Sequence, residues 1–455
     1  MTSPDRIETH EGDGTAVRPA ITVESRMADV LADDGAARVF DGVIRKWLPV
    51  GAEQVAAGLR GQDDVTPRQV TEMLPSGERV LADLERGFAA MSAGDPVPTD
   101  VFVAEVTPED AALEADAALL SGEDFWLTRA GDRVRAMVLI DGPHGVRLQR
   151  DAADHLGVNS SEPATCFPPA TGLGSSWDRG LAAEVAQAIG REAREQGADV
   201  LLGPGVNIKR SPLGGRNFEY LSEDPLLSGA LGAAWVEGLQ STGVGASLKH
   251  FVANNQETDR MRVSSEMDAR TLREIYLPAF EHIVKTADPA TVMSAYNALN
   301  GVFASENRWL LTDLLRDEWG FDGLVVSDWG AIKDRVVALH AGTDLEMPSS
   351  GDQGTDEIVA AVRDGRLDRE DVTAAVRRLR RLSDRTAPPA EPAPPVDHDS
   401  HHRLARRAGR ESVVLLRNED ATLPLRRGQK VAVLGTLAVD PQFQGGGSSH
   451  VNPTR

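Results

Sequence analysis

The sequence predicts an α/β protein whose main part is a TIM-type (β/α) barrel of parallel strands. Short apolar runs rich in valine, isoleucine and leucine recur between residues 106 and 384 and alternate with patterns that have helical spacing. The runs are continuous rather than alternating in polarity, which is typical of parallel strands buried on both faces. Strand–helix alternation over this length favours a barrel.

Five apolar runs predict strands of this barrel, and four amphipathic segments predict helices around it. The strands are expected in VRAMVLIDG, VLLGPGVNI, GASLKHF, TVMSAYN and GLVVSDW. The helices are expected in LAAEVAQAIGREAREQGA, ALGAAWVEGLQ, LREIYLPAFEHIVKTA and RWLLTDLLRDEWG, where apolar residues recur three and four positions apart.

Segments of different composition flank the predicted barrel. Before it, residues 1–20 are expected to be disordered, residues 22–92 predict a small helical module, and residues 93–105 form a linker. After it, residues 385–398 form a proline-rich linker. Residues 399–455 contain one helical pattern and two runs that predict strands, ESVVLLRN and KVAVLG. Because so few elements cannot bury a core, we expect this segment to be the start of an incomplete domain.

Composition and charge exclude several classes of protein and partner. The 455 residues carry a net charge of −22, which repels phosphate backbones and anionic lipids, so neither nucleic acid nor a membrane is expected as a partner. No apolar run approaches the ~18–20 residues that cross a bilayer. Cys166 is the only cysteine, which excludes an intrachain disulfide. The polar N-terminus has no signal-peptide pattern, so we expect a cytoplasmic protein.

Polar and reactive residues follow four of the predicted strands. In a (β/α) barrel the carboxyl ends of the strands line one mouth, which is where active sites are built. Four strand ends that converge in this way indicate a site more strongly than any one of them. The residues at these ends are Asp141, His144, Arg147, Lys249, His250, Tyr296, Asn297, Asp328 and Trp329.

Asp328 and Trp329 form the most informative pair. An aromatic face stacks on a sugar ring, and a carboxylate can attack the anomeric carbon. The structural alternative is that Asp328 caps the next helix while Trp329 packs in the core. Lys249 also stands out, because the chain has only six lysines beside 42 arginines and a compact ammonium suits hydroxyl groups. Its alternative is a lysine that points to solvent.

A set of five charged residues at the bottom of the site could bind several hydroxyl groups of a sugar. A structural network of salt bridges explains the same residues equally well, because buried charges must be paired. The members of this group are Asp141, Arg216, Lys249, His250 and Arg260.

Other clusters carry weaker signals, and no cofactor or metal is expected. His398, His401 and His402 lie beside the proline-rich linker without a matching set of ligands, and we expect them to be exposed to solvent. Cys166 has no feature that activates its thiol and is expected to be structural. The glycines at 445–447 lack the strand and helix context of a dinucleotide-binding loop.

Five motifs resemble the family 3 glycoside hydrolases, and the β-glucosidase group in particular. They are DGPHGVR (141–147), GREAREQGADVLLGPGVNIKRSPLGGRNFEYLSEDP (190–225), KHFVANNQETDR (249–260), MSAYNALNG (293–301) and GLVVSDWGA (323–331). The later runs ESVVLLRNE, KVAVLG and FQGGGSSHVNP resemble the opening of that family's second domain, an α/β sandwich.

The resemblance implies a retaining mechanism without a cofactor. Asp328 matches the catalytic nucleophile, Trp329 matches a subsite wall, and Met293 matches a nearby contact. In retaining enzymes a second carboxyl group, ~5–5.5 Å from the nucleophile, protonates the leaving oxygen and then activates water. The residues that match the binders of glycone hydroxyls are Asp141, Arg216, Lys249, His250, Arg260 and Tyr296.

The chain departs from the family at the acid/base. Its strand end KHFVANNQETDR differs from the KHFPGHG-like end of the N-acetylglucosaminidase members, and favours the branch whose acid/base lies in the second domain. The sequence ends before that region, so no acid/base is expected in this chain. No motif places Glu411 or Glu419 in the site.

The sequence therefore predicts a β-glucosidase acting on a small carbohydrate, with a β-xylosidase as the nearest alternative. A truncated sugar-binding pseudoenzyme is a second alternative, because the acid/base is missing. A Schiff-base aldolase that uses Lys249 is a third, although it leaves every other motif unexplained. The helical module carries no assigned chemistry, and both packing on the barrel and formation of a homodimer are consistent with it.

Overall fold

The computed structural model describes residues 20–47, 64–72, 74, 77–102, 107–150, 153–154, 158–391 and 394–455. The chain divides into two compact units, Met1–Glu109 and Asp110–Arg455. The disorder expected for residues 1–20 lies outside the described residues, except for Ala20. Among the described residues no helix combines the length and the apolar character needed to cross a membrane.

The first unit contains helices around a small apolar core. Val43, Val80 and Leu84 are fully buried in that core, as the helical spacing of the sequence requires. Val101 is also fully buried there, although it lies in the segment predicted to be a linker. The helices are Met27–Ala32, Asp34–Trp47, Pro67–Thr71 and Gly77–Ala93, followed by a 3₁₀ turn at Thr99–Val101.

The second unit is built on a parallel sheet of five strands, in the order β1-β2-β3-β4-β5. Each of the five predicted strands is confirmed, and every residue in them is buried, as the continuous apolar runs indicate. Leu139 lies beside Val200, and Thr291 lies beside both Ser247 and Leu324. The strands are Leu139–Asp141 (β1), Val200–Leu202 (β2), Gly245–Phe251 (β3), Thr291–Ser294 (β4) and Leu324–Ser327 (β5).

Isolated bridges continue the sheet from β5 back towards β1. Parallel bridges follow β5, and an antiparallel bridge then joins the segment near residue 127 to the residue before β1. The curled sheet with its surrounding helices is a TIM-type (β/α) barrel, as predicted. The bridges are Val326 with Leu345, Glu346 with Ser121, and Leu127 with Val138.

Helices pack around the sheet, and several begin at an aspartate that the sequence places before an apolar run. Asp178 and Asp224 accept hydrogen bonds from the backbone of the first turns that follow them. A Cβ on Gly238 would lie 2.3 Å from the carbonyl oxygen of Ala183, so glycine permits the close packing of two helices. The helices are Pro108–Ala118, Ala170–Ser175, Arg179–Glu195, Pro225–Gln240, Ala269–Thr271, Pro278–Ala287, Arg335–Ala341, Gln353–Arg363, Arg369–Arg385 and His398–Glu411, with π-helices at Leu272–Tyr276 and Trp309–Glu318.

Short strands form away from the main sheet. A three-stranded ribbon comprises Ser264–Ser265, Ala298–Leu299 and Val302–Phe303. Pro163–Ala164 pairs with Asn452–Pro453, so the C-terminal residues lie on the barrel.

The two strands predicted in ESVVLLRN and KVAVLG do not form. Residues 412–446, all of which the structure describes, contain no strand. A strand needs a neighbour for its backbone hydrogen bonds, and the described chain places none beside these runs. Their apolar side chains are exposed instead, with Leu416 at 92% and Leu434 at 88%.

The exposure predicted for the histidines beside the proline-rich linker is wrong for His401. The helix His398–Glu411 packs on the barrel, and its amphipathic pattern turns His401 inward. Its Nδ1 lies 2.6 Å from Oε1 of the buried Glu192, whose Oε2 accepts a hydrogen bond of 2.8 Å from the backbone N–H of Thr165. His398 is half-buried, and its Nδ1 lies 3.6 Å from the same Glu192 carboxylate.

Removing the Glu192 carboxylate should destabilise the barrel unit. We expect Glu192→Ala to lower the free energy of unfolding by about 2–4 kcal/mol, because it leaves buried groups at Thr165 and His401 without their acceptor. The matched control is Glu184→Ala, on the same helix, whose exposed carboxylate also pairs with the helix His398–Glu411 through Arg407. Loss of that exposed pair should lower the free energy of unfolding, measured by urea denaturation, by less than about 1 kcal/mol. Equal losses in the two variants would contradict the structural role of the buried Glu192 carboxylate.

The effect of Glu192 should also depend on pH. Burial alone raises the pKa of Glu192, but the hydrogen bonds from His401 and Thr165 prevail and lower it below its ordinary 4.5. A carboxyl group with a lowered pKa in the folded state stabilises it above the unfolded-state pKa and loses that contribution as the pH falls. The difference between the wild-type protein and Glu192→Ala should therefore shrink below pH 4.5.

Candidate active site

The nine residues that the family resemblance assigns to the site line one cavity of about 470 Å³ at the carboxyl end of the sheet. Strand β1 ends at Asp141, β3 carries Lys249 and His250, and Asp328 directly follows β5. The parallel arrangement brings these ends together, although the residues lie far apart in the chain. The nine are Asp141, Arg216, Lys249, His250, Arg260, Met293, Tyr296, Asp328 and Trp329.

The Asp328 carboxylate is held by one oxygen and left open at the other. Its Oδ1 accepts a hydrogen bond of 2.8 Å from the backbone N–H of Trp329. Its Oδ2 is buried, lies 3.7 Å from Nε2 of His250, and has no hydrogen-bond partner among the described residues. The Tyr296 hydroxyl donates to the carbonyl of Trp329 at 3.0 Å, which fixes the segment after β5. Helix capping by the Asp328 side chain is not observed, since the next helix begins after Asp334.

His250 is a neutral residue that is rigidly placed. Burial and the positive charges of Arg216, Lys249 and Arg260 hold its pKa well below the ordinary value. Its Nε2 lies 2.7 Å from Nη2 of Arg216, which is always a donor, so Nε2 is the acceptor and the proton lies on Nδ1. His250 therefore cannot neutralise Asp328 by forming an ion pair.

The buried charges around Asp141 are paired, but most of them are not hydrogen-bonded to one another. Nζ of Lys249 lies 3.7 Å from Oδ1 of Asp141 and 4.0 Å from Oε2 of Glu219, and Nη1 of Arg147 lies 3.8 Å from Oδ2 of Asp141. Within this group of described residues, the contact of Arg216 Nε with Glu219, at 2.5 Å, is the direct hydrogen bond. A salt-bridge network is therefore present, as the structural alternative required. It still leaves the Lys249 and Asp141 side chains able to bond to a ligand.

Burial sets the protonation of these groups. Burial raises the pKa of Asp141 to about 6, although the positive charges of Lys249 and Arg147 oppose the rise. Burial also favours neutral Glu219, but Arg216 and Lys249 outweigh it and lower the pKa of that carboxyl group.

Aromatic residues form the remaining wall. The guanidinium of Arg260 lies 4.6 Å from the centre of the Tyr296 ring, and its Nη1 donates to Glu257 at 3.0 Å. Nε1 of Trp329 donates to the carbonyl of Phe125 at 2.8 Å, so its ring is held in one orientation.

Three strand-end residues do not line the cavity. His144 is buried beside Phe218, and burial lowers its pKa to about 4. The Asn297 amide donates to the carbonyls of Val252 and Ala298, so its role is structural. Arg147 lies behind Asp141 and also donates to the carbonyl of Asp154 at 3.0 Å.

Sequence reasoning missed two contributions to the cavity. Glu219 lies inside the motif quoted at 190–225 and links Arg216 to Lys249, and its burial was not evident from its position in that motif. The glycine-rich segment near the C-terminus supplies Gly446, Gly447 and Ser448 to the cavity wall. A Cβ on the preceding Gly445 would lie 2.3 Å from the Phe218 ring, so close approach explains this glycine.

Glu411 and Glu419 do not line this cavity, whose carboxyl groups belong to Asp141, Glu219, Glu257 and Asp328. No group of three or more His, Cys, Asp or Glu residues in the described part of the chain is arranged to hold a metal ion.

Comparison with known proteins yields one family. The model of the glycosyl hydrolase family 3 N terminal domain matches residues 133–382. The chain is 52% identical over 345 residues to thermostable beta-glucosidase B of Acetivibrio thermocellus, covering 75% of this chain and 46% of that protein. It is 49% identical over 364 residues to an exo-alpha-(1->6)-L-arabinopyranosidase of Bifidobacterium longum, covering 76% and 47%.

Solved structures of beta-glucosidases are also similar to this chain. A family 3 beta-glucosidase of Bifidobacterium adolescentis is similar with a TM-score of 0.69 and 49% identity, over 75% of this chain and 49% of that one. Beta-glucosidase 3B of Thermotoga neapolitana in complex with alpha-D-glucose is similar with a TM-score of 0.69 and 41% identity, over 76% and 52%. The chain spans about half the length of the curated relatives that it matches. This protein belongs to glycosyl hydrolase family 3.

Proposed function

We propose that this chain carries the glycone site and the nucleophile of a retaining β-glycosidase, most specifically a β-glucosidase. The observation that carries the proposal is the Asp328 carboxylate, which has one oxygen fixed by the Trp329 N–H and the other open beside a cavity lined with polar groups. Attack of Oδ2 on the anomeric carbon forms a covalent glycosyl-enzyme as the bond to the leaving oxygen breaks, and water later releases the sugar.

The surrounding charges suit both steps. Neutral His250 forms no ion pair with the nucleophile, while the cations Arg216 and Lys249 lower the pKa of the neighbouring Glu219 carboxyl group. Lys249 donates to sugar hydroxyls and Asp141 accepts from them, since these two side chains are not hydrogen-bonded to each other. Trp329 provides an apolar face for the ring.

Two further carboxyl groups of the cavity could be considered as the general acid/base. Glu257 and Glu219 line the cavity, but each is engaged with an arginine, at Arg260 and Arg216 respectively. We assign the general acid to neither. The proposal therefore has two alternatives, a β-xylosidase of the same family and a sugar-binding pseudoenzyme without turnover. The arabinopyranosidase relative adds a second pentopyranoside, after the xyloside, to the substrates that should be compared.

The nucleophile can be tested without a general acid. Incubation with 2,4-dinitrophenyl 2-deoxy-2-fluoro-β-glucoside, whose leaving group needs no protonation, should add one fluoroglucosyl mass to the intact protein. Peptide mapping should place it on Asp328. The Asp328→Ala variant should show no adduct, whereas Asp132→Ala, which removes an exposed aspartate, should label like the wild type. A folded protein that stays unlabelled, or is labelled elsewhere, contradicts the proposal.

Turnover distinguishes the alternatives. We expect slow release of nitrophenol from the 4-nitrophenyl β-glucoside, and less from the β-xyloside and the α-L-arabinopyranoside, with every rate abolished in Asp328→Ala. Cellobiose hydrolysis that depends on Asp328 would exclude the pseudoenzyme. Faster release from the xyloside than from the glucoside would instead support the xylosidase.

Glucose binding should weaken as Asp141 is protonated. Because burial raises the pKa of Asp141 to about 6, the carboxylate that accepts from hydroxyls is lost below that pH. We expect the Kd for glucose to rise about tenfold from pH 7.5 to pH 5, measured by calorimetry. Asp141→Asn should bind weakly at both values, while Glu257→Gln should keep the pH dependence. A Kd that is constant over this range in the wild type would contradict the role of Asp141.

A further inference from the structure

A second cavity, of about 320 Å³, lies on the outside of the barrel. It is bounded by the helices Trp309–Glu318, Arg335–Ala341 and Arg369–Arg385. Asp322 lines it and precedes β5, whereas Asp328 follows that strand, so this arginine cleft is separate from the candidate active site. Five arginines line it, namely Arg308, Arg316, Arg377, Arg378 and Arg381.

Two of these arginines share a single buried carboxylate. Nη2 of Arg316 donates to Oδ2 of Asp344 at 2.7 Å, and Nη1 of Arg378 donates to Oδ1 at 2.8 Å. Asp344 is itself fully buried and also accepts from the N–H of Val325 in β5. Two guanidinium groups therefore face one carboxylate, which leaves a positive charge at the floor of the cleft.

Arg316 has donor capacity left over. Its side chain is 7% exposed, and its Nε is buried with no hydrogen-bond partner among the described residues. A buried donor without an acceptor is costly, so an anion at this point would relieve it. This orphaned group is the observation that points to a ligand rather than to a purely structural cluster.

The rim of the cleft adds further positive charge. Arg377 is 64% exposed, and the carboxylate oxygen of Glu370 is 3.9 Å from it. Arg381 pairs with Asp322, and Arg308 donates to the carbonyl of His340. Three carboxyl groups line the cleft beside the five guanidinium groups. One of the three carboxyl groups, on Asp371, lies within hydrogen-bonding distance of His340. This excess of cations is unusual in a chain of net charge −22.

We propose that the arginine cleft binds a small dianion of the phosphate type, either inorganic phosphate or a phosphomonoester. The planar, forked guanidinium matches the tetrahedral oxygens of phosphate and bonds to two of them at once. A monovalent anion such as chloride offers no such geometry. The cleft volume suits a phosphate group together with a small organic substituent.

Calorimetric titration of the whole chain at pH 7.5 tests this. Sodium phosphate and glycerol 2-phosphate are the two probes, each compared with sodium chloride at equal ionic strength. We expect saturable binding of at least one probe and none of chloride. Tighter binding of glycerol 2-phosphate identifies a phosphomonoester as the ligand, and tighter binding of phosphate identifies the free ion.

Variants at the rim locate the binding. The double variant Arg377→Gln/Arg381→Gln, which leaves the buried Arg316 and Arg378 in place, should weaken binding at least tenfold. The matched control Arg270→Gln/Arg403→Gln removes the same charge from exposed positions elsewhere and should bind like the wild type. Absence of saturable binding for both probes, or unchanged affinity in the rim variant, overturns the proposal.

Discussion

The structure depends on one constraint, which is that every charge buried at the mouth of the barrel must have a counter-charge within reach. Parallel strands with apolar faces leave only their ends for polar chemistry, so the charges collect there. Glu219 is central to the balance, because it bonds to Arg216, lies near Lys249 and accepts from Ser449. Glu219 therefore provides both Arg216 and Lys249 with a counter-charge that is neither Asp141 nor Asp328.

This balance supports the role of nucleophile that we propose for Asp328. A direct ion pair to Asp328 would lower its nucleophilicity, and the structure avoids one by placing neutral His250 beside the open oxygen. Arg216 serves both ends of that arrangement, since it bonds to Glu219 and to His250. The contacts of Arg216 thus set both the position and the charge state of Glu219 and His250. Loss of either contact would alter both properties.

The C-terminal segment joins the barrel through the same network. Ser449 reaches Glu219, Val451 is fully buried, and Asn452–Pro453 pairs with a strand after β1. Between the helix His398–Glu411 and this return, the apolar side chains of residues 413–439 stay exposed. The site wall is therefore completed by residues that come after a stretch without regular strands.

Local pattern determined much of this protein. The five strands, the helices around them, and nine of the residues that line the cavity follow from apolar runs, from strand ends and from the resemblance to a family. Such features depend on neighbours in the chain, so the sequence contains them directly. The position of each residue along its strand fixed which end of the barrel it would reach.

Only the tertiary structure decided the rest, because it depends on partners distant in the chain. The burial of Glu219 and His401 depends on Lys249 and Glu192, which no local spacing connects to them. The runs at 413–439 have the composition of strands, yet a strand forms only beside another strand. The shift in the pKa of Asp141 likewise comes from burial, which is set by the packing of the whole barrel.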